Sequence, residues 1–502
     1  MNLSAVLSIL VFSPILGIIV LAMMPKSVEK PIKIVGFLAT LPALFLALAC
    51  YLHFQWGKNL ADFNVAKEWI HLRGMNTEAP YFAVNYELGL SGFQLVLVVL
   101  TAVVATLSAI AAARFVKKEW KGYFMLFLLL ETGMLGVFTA ENLVLFFIFF
   151  EVTLIPTFFL IGKWGYFEKE KAAYSFLIYN GLGSAVLLIV IMILFAKTGT
   201  TNIEMLTQML ADPSGPISGD LKMGLFIGLL IAFGVKLPIF PLHSWMLKVH
   251  VQAPPAVVMI HSGILLKIGA YGLIRFGLGM FPKQFDTLAT LIAVLGVINL
   301  LYGAFLAFIQ TDFKMVLAYS SISHMGIVLI GLAAMNTAGV QGAIFQVVSH
   351  GLISALLFFI VGVLYERTDT SLLENLGGMA KGMPLAAGFL LAGGMASLGL
   401  PGMSGFVSEF MAFLGLFKEI PWLAAVGTIG IIMTAAYVLR AILGITYGKA
   451  HREFGGVVDL KGVEFIPVVV LMVLIVLIGV YPSVLSSPLH TTLETIMLGL
   501  GG

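Results

Sequence analysis

Apolar residues run through this chain in stretches of about 20, the length a helix needs to cross a bilayer, and polar residues collect between them. With that length as the ruler, the pattern predicts about fourteen membrane spans. They fall at roughly 3–24, 32–54, 90–113, 122–140, 142–162, 173–196, 223–247, 255–275, 287–310, 314–334, 341–365, 384–416, 422–446 and 464–484. Longer connections lie at 55–89, 197–222, 366–383 and 447–463. The fold class is therefore an all-α polytopic membrane protein. The first stretch, Leu3 to Met24, has no basic leader and no small-residue cleavage site, so it reads as a retained span.

Lysine and arginine in the connections set the orientation. One alternating set of loops holds 18 of them and the other 8. The richer set, which includes Lys117, Lys118, Lys163, Lys169, Arg367 and Arg452, is expected to be cytoplasmic. The poorer set includes Arg73 and Lys222. Both termini then lie outside, which needs an even number of spans.

The pattern also repeats. Asn180-Gly181-Leu182-Gly183-Ser184-Ala185 resembles His350-Gly351-Leu352-Ile353-Ser354-Ala355 at an offset of 170. Ala270-Tyr271-Gly272-Leu273 resembles Ala436-Tyr437-Val438-Leu439 at 166, and Pro238 matches Pro401 at 163. The unit covers five spans, the fourth to eighth and then the ninth to thirteenth. An odd number per unit makes the second copy enter the membrane from the opposite side, the inverted-repeat plan of transporters. The expected divisions are residues 1–120 for the leading spans, 121–280 and 281–447 for the two repeats, and 448–502 for the last span. Within each repeat one span looks discontinuous. Gly234-Val235-Lys236-Leu237-Pro238-Ile239-Phe240-Pro241 loses two amide donors within four residues, and Gly399-Leu400-Pro401-Gly402 interrupts the other. Irregular backbone at this depth is tolerated only where protein or water covers it.

Against this apolar background a few ionisable residues stand out. Glu151, Lys236, Lys267, His324, His350 and Glu409 all fall near the middle of spans. A charge at the bilayer centre costs roughly 2.5–3.5 kcal/mol on insertion scales, so such residues are functional candidates. Glu151 and Lys236 are an acid and a base on different spans. Burial favours the neutral form of either alone, whereas pairing supports both charges. A third charge approaching Lys236 can then release or recruit a proton; the plain alternative is a static ion pair between two helices. Lys267 is too central to snorkel. His324 and His350 suit relay steps between Lys267 and Glu409, because either ring nitrogen can give or accept a proton. Glu409 would end the route toward the outer side. Glu131 is a further buried acid of less certain role. His243, His250 and His261 cluster near the cytoplasmic end of the seventh span and could form an inlet path.

Composition narrows the chemistry. The 502 residues are 60% hydrophobic and 11% charged, against about 25% charged in a soluble domain. The single cysteine, Cys50, excludes an intrachain disulfide and a cysteine metal cluster. HSWMLKVH is not an HExxH zinc motif, and there is no Walker loop, no GxGxxG before a helix and no CxxC. No cofactor is expected in this chain, and no nucleic acid as partner. The expected partners are protons, the lipid bilayer and other membrane proteins.

The long motifs carry a resemblance. GVKLPIFPLHSWMLKVHVQAPPAVVMIHSGILLKIGAYGLIR (234–275), FFEVTLIPTFFLIGKWG (149–165), DFKMVLAYSSISHMG (312–326) and LGLPGMSGFVSEF (398–410) resemble the antiporter-like subunits of respiratory complex I and of Mrp-type cation/proton antiporters. Glu409 is similar to the glutamate of the M-type branch, where the L and N types and many Mrp subunits carry lysine. The three leading spans, absent from bacterial N-type subunits, and the lack of a long lateral C-terminal helix point the same way. The resemblance implies a proton-translocating membrane-arm subunit whose redox energy comes from quinone reduction in neighbouring subunits. It implies Glu151 with Lys236 as the coupling ion pair, Lys267, His324 and His350 as a polar axis, and Glu409 as the exit. It implies L-, N- and K-type subunits as neighbours and the bacterial plasma membrane as the site, with a plastid or thylakoid membrane as the alternative. A subunit of an Mrp-type Na+/H+ antiporter, a membrane-hydrogenase arm and a purely structural scaffold are the competing readings, and Glu409 argues against the first.

Overall fold

The computed structural model describes residues 3–72, 82–450 and 457–499. Arg73 and Arg452, which enter the orientation count, lie outside them. Among the described residues twelve helices are long and apolar enough to cross a membrane. The count of fourteen adds the two interrupted stretches as one span each.

The chain opens with α1 (Val6–Met23), then α2 (Glu29–Leu38) and α3 (Leu41–Gln55), which together make one span. The connection after them is not a plain loop. It holds an antiparallel hairpin of β1 (Val65–Leu72) and β2 (Phe82–Leu88), with Val65 opposite Leu88 and an irregular register between Glu68 and Ile70. α4 (Gly92–Phe115) follows, started by a capping box in which Ser91 and Gln94 satisfy each other's backbone amides.

Next come α5 (Trp120–Thr139), α6 (Leu143–Trp164), α7 (Lys169–Thr198) and the short α8 (Ile203–Ala211). The first interrupted stretch is α9 (Gly219–Lys236) and α10 (Ser244–Gln252). The eighth span is a composite: α11 (Pro255–Ile260), a π-turn at His261–Leu265, α12 (Leu266–Gly272) and a second π-turn at Leu273–Leu278. α13 (Pro282–Ile309), α14 (Phe313–Ala333) and α15 (Thr337–Thr368) are long and unbroken. After a short α16 (Met379–Gly382), the second interrupted stretch is α17 (Pro384–Ser397) and α18 (Ser404–Glu419). α19 (Pro421–Tyr447), α20 (Phe465–Val480) and an amphipathic α21 (Ser483–Gly499) complete the order.

Two of the twelve spans, Pro255–Leu278 and Thr337–Thr368, are wholly covered by the rest of the protein in their apolar windows. They carry Lys267 and His350, so the deepest part of the molecule is where those side chains sit. Outer helices instead leave residues such as Leu16, Phe45, Ile178, Ile189 and Ile432 exposed, as a lipid-facing surface requires.

Both interruptions sit where their freed backbone groups find partners. At the first, the buried Asn299 of α13 accepts from the Phe240 amide at 2.7 Å and donates to the Pro238 carbonyl at 3.1 Å. At the second, Gly399 and Gly402 adopt left-handed conformations that a side chain would strain. The Ser397 carbonyl left by the break lies 3.0 Å from His324 Nε2. This is the cover that irregular backbone needs at membrane depth.

The two halves also share a local device. The amide of Leu143, at the start of α6, donates to the carbonyl of Thr201 beyond α7 at 2.8 Å, and the Phe313 amide does the same to Ser371 beyond α15 at 2.8 Å. Side chains repeat the link, Asn142 to Thr201 at 2.9 Å and Ser371 to Asp312 at 2.7 Å. Asn142 and Asp312 also cap the helices they precede. Each pair of positions is 170 apart, the offset of the first sequence match.

Candidate functional site

A close polar contact in the core joins Lys267 to His350. Lys267 sits on α12 just after the π-turn, and its Nζ donates to the Ser262 carbonyl at 2.7 Å. A π-turn displaces the regular ladder and frees such a carbonyl. The same Nζ lies 2.6 Å from His350 Nδ1 on α15. That contact needs one proton between two nitrogens, so either partner can hold it.

His350 leads to His324 on α14, with ring centroids 5.4 Å apart. His324 is held on both sides. Its Nδ1 lies 2.7 Å from the Ser320 carbonyl and its Nε2 lies 3.0 Å from the Ser397 carbonyl. Carbonyl oxygens accept only, so the form that satisfies both contacts is the doubly protonated ring. Its counter-charge is at hand: Glu409 Oε1 on α18 is 3.6 Å from Nε2. A cavity of about 10 Å³ touches His324, His350, Ser349, Ser397 and Glu409, room for about one water. A second cavity of about 10 Å³ touches His350 from the other side, walled by Ser320, Ser321, Ser354 and Ser397. Tyr437 of α19, fully buried, donates its hydroxyl to Ser320 Oγ at 2.8 Å. Lys267, His350, His324 and Glu409 therefore form one series, joined by contact or across a water-sized space.

The first repeat is arranged differently. Glu151 and Lys236 face the same region, and the Glu151 charge reaches Lys236. They do not touch: neither Glu151 Oε1 nor Lys236 Nζ has a hydrogen-bond partner. The ammonium instead lies over the rings of Phe150 at 4.9 Å and Phe176 at 5.8 Å. The contact ion pair implied by the family resemblance is thus absent in this conformation, and aromatic faces hold the lysine where a carboxylate was expected. Asn180 Oδ1 and Ser184 Oγ on α7 are likewise buried without partners.

Between the two lysines lies a link made by two of the three histidines expected to cluster. His250 Nε2 and His261 Nδ1 are 3.0 Å apart, and both residues are buried in the core. His261 packs against Phe176 and Trp245, and Phe176 is one of the rings over Lys236. His250 packs on Phe358, which also borders the cavity beside His350. The sequence reading put these histidines at the cytoplasmic end of a span. The proline that restarts the helix at Pro255 brings His261 back beside His250. His243 stays apart, bonded to Tyr302 at 3.1 Å.

Glu131 is fully buried on α5, and neither carboxylate oxygen has a partner; it joins none of the contacts above. Near the poorer-charged face, Arg275 pairs with Glu141, and Gln94 donates to Glu141 at 2.8 Å. Among the described residues no group of three or more His, Cys, Asp or Glu could hold a metal ion.

Comparisons with known proteins place this arrangement. A family model described as NADH:quinone oxidoreductase/Mrp antiporter, TM, matches residues 140–434. The chain is 36% identical over 494 residues to NADH-quinone oxidoreductase subunit M of Rhodobacter capsulatus, covering 96% of this chain and 94% of that one. It is 41% identical over 429 residues to an NAD(P)H-quinone oxidoreductase chain 4 of Thermosynechococcus vestitus, covering 83% and 79%. Its fold matches a chain of respiratory complex I from Thermus thermophilus, solved with bound NADH, at a TM-score of 0.85 and 29% identity, covering 99% of this chain and 100% of that one. The fold alone is shared with a chain of the Mrp complex from Dietzia sp., at a TM-score of 0.83 and 23% identity, covering 100% and 99%.

Proposed function

Because the chain belongs to the NADH:quinone oxidoreductase/Mrp antiporter transmembrane family, we propose that it moves protons along its buried Glu–Lys–His series, driven by quinone reduction in neighbouring subunits. It is an antiporter-like membrane-arm subunit of an NADH-quinone oxidoreductase, a proton-translocating enzyme complex. It is a multi-pass membrane protein and sits in a multi-subunit assembly.

The observation that carries the proton route is the series from Lys267 through His350 and His324 to Glu409. Lys267 and His350 share one proton. His324 exchanges with His350 across the small cavity and discharges toward Glu409. The first repeat loads the series: with Glu151 near but not bonded, Lys236 responds to any change in nearby charge, and the His250–His261 pair lies between it and Lys267. The cargo in this reading is the proton, since every group along the way is a proton carrier.

The two five-helix units, 121–280 and 281–447, are read as inverted repeats. The paired ties at offset 170 and the matching interruptions support that reading. The basic loops face the cytoplasm, the redox centres belong to partner subunits, L-, N- and K-type subunits flank this one, and the membrane is the bacterial plasma membrane.

The test is Lys236→Ala in the complete complex. Assembly is followed on native gels, quinone reduction by spectroscopy, and proton translocation by quenching of a pH-sensitive dye in sealed vesicles. Assembly is expected to persist while coupled turnover and quenching fall about tenfold or more. Normal quenching in assembled complex overturns the relay.

A further inference from the structure

One buried cation plays no part in the series just described. Lys314, in the first turn of α14, is 6% exposed. Its ammonium is held between two tyrosine rings, 4.0 Å from the centroid of Tyr166 and 3.9 Å from that of Tyr365. Among the described residues it makes no ion pair. Asp312, two residues before it in the chain, is already engaged by Ser371 Oγ at 2.7 Å and by the first amides of α14.

The two tyrosines border an open vestibule of about 520 Å³ on the basic face, whose wall includes Lys117, Lys118, Lys163 and Glu366. Glu366 is itself bound, by Lys117 at 2.6 Å and Arg367 at 3.1 Å, so it does not compete for Lys314. On the inner side, one helical turn of about 5 Å separates Lys314 from Leu317. Leu317 is one wall of the serine-lined cavity that touches His350. Lys314, Leu317 and Ser321 share one face of α14, and Tyr365, Phe358, Ser354 and His350 share the facing side of α15. The two helices thus form a seam. Its mouth is the tyrosine-held lysine, its plug is Leu317 with Phe358, and its floor is the Lys267–His350 contact.

We propose that this seam is the cytoplasmic proton inlet of the second repeat and that Lys314 is its gate, a positioning and proton-carrying residue that passes protons from the vestibule to the cavity beside His350. The proposal rests on the proton-relay reading above and deepens it. The ammonium rests against the tyrosine faces, where cation–π attraction holds it without a carboxylate. Its four-carbon stem lets it turn inward past Leu317. There one N–H bond breaks as a water in the serine cavity gains the proton, and the neutral amine recovers a proton from vestibule water when it swings back. The standing charge repels metal cations at the mouth, while a proton crosses by transfer rather than by passage of an ion. Arginine cannot take this role, because the guanidinium does not give up its proton in a protein.

The experiment compares Lys314→Met, Lys314→Arg and Ser354→Val with Lys236→Ala in membranes containing the complete complex. Assembly, quinone reduction and dye quenching are measured on each. Lys314→Met and Lys314→Arg are both expected to assemble and to lose about tenfold or more in coupled proton translocation. Ser354→Val fills the inner cavity without touching the lysine and is expected to lower translocation in the same way. Full activity of Lys314→Arg would mean that a fixed charge suffices and would overturn the gate; full activity of Lys314→Met would overturn it outright. If Lys314→Met does not assemble, normal translocation in Ser354→Val overturns the inlet. Normal translocation in Lys236→Ala as well would bring down the relay itself, whereas a defect confined to Lys236→Ala removes only the inlet.

Discussion

Replacing His350 by leucine tests the series at its narrowest point. In the native chain the imidazole touches Lys267 at 2.6 Å and its ring centre lies 5.4 Å from that of His324. The cavity of about 10 Å³ that touches both rings has room for about one water on the His324 side, and the direct contact on the Lys267 side needs none. Leucine has similar bulk, so it occupies the space and bars water from the place the ring held. Lys267 keeps its bond to the Ser262 carbonyl at 2.7 Å and loses the other. Leaving a buried donor short of one partner costs about 1–3 kcal/mol, small against a total stability of about 5–15 kcal/mol, so the complex is expected to assemble. Proton transfer is expected to fall about 100-fold, the range lost when a positioned acid–base group is removed. Dye quenching in vesicles, normalised to assembled complex on native gels, measures it. His350→Asn separates two roles. Asparagine stands at the matching position 180 of the first repeat and can still accept from Lys267, yet it cannot titrate. It is expected to restore stability and not translocation. Native quenching in assembled His350→Leu would refute the reasoning, and full recovery with asparagine would reduce His350 to a hydrogen-bonding spacer.

Three further outcomes follow from the same geometry. Glu409→Lys sets a second cation beside His324, 3.6 Å from the present carboxylate, and is expected to retain partial translocation, since a titratable group remains; activity equal to native would show that the acid is not needed as counter-charge. Gly342→Val drives a Cβ into the Ala412 backbone nitrogen, where helix α15 packs on α18, and is expected to cost about 1–3 kcal/mol or more and to lower the yield of assembled complex on native gels. Arg367→Ala strips the nearly buried Glu464 of the guanidinium that holds both its oxygens at 2.7 and 2.8 Å; Arg114 remains at 2.9 Å, so a loss of about 3 kcal/mol is expected as a lower melting temperature of the purified complex, with translocation by the surviving fraction unchanged.

Much of this architecture can be read from the chain before folding. Apolar length alone places the long helices, because lipid imposes one ruler on all of them. Pro238, Pro241 and Pro401 mark both interruptions, since each removes a backbone donor next to other helix-breaking residues, whereas a lone Pro156 leaves α6 continuous. The mid-span ionisable residues name themselves by their cost. Other features depend on how distant segments meet. Nothing in the periodicity tells that Asn299 satisfies the first interruption, that His250 and His261 bond directly, or that Lys236 rests against phenylalanine faces without touching Glu151. The hairpin at 65–88 lay in a stretch read as a connection, although Val65 to Leu72 has the residues of a strand. Lys314 is unremarkable in the sequence because it falls at the edge of a span, where a lysine ordinarily marks topology; only Tyr166 and Tyr365, far from it in sequence, make it unusual. The helix at 483–499 mixes polar and apolar faces, so it lacks the unbroken apolar length of a span.

The twin ties at the starts of α6 and α14 have a mechanical consequence. Each joins the mouth of a long helix to the far end of the next, so α6 with α7 and α14 with α15 behave as two-pronged forks closed at both tips rather than as four loose rods. Stiff forks do not bend with turnover. Any movement that accompanies proton passage is therefore concentrated in the parts between them: the two π-turns that flank Lys267, the peptide run clasped by Asn299, and the glycine elbow beneath Glu409. Lys267 and Glu409 sit beside these hinges, whereas His324 and His350 ride on the fork of α14 and α15 against which the hinges work.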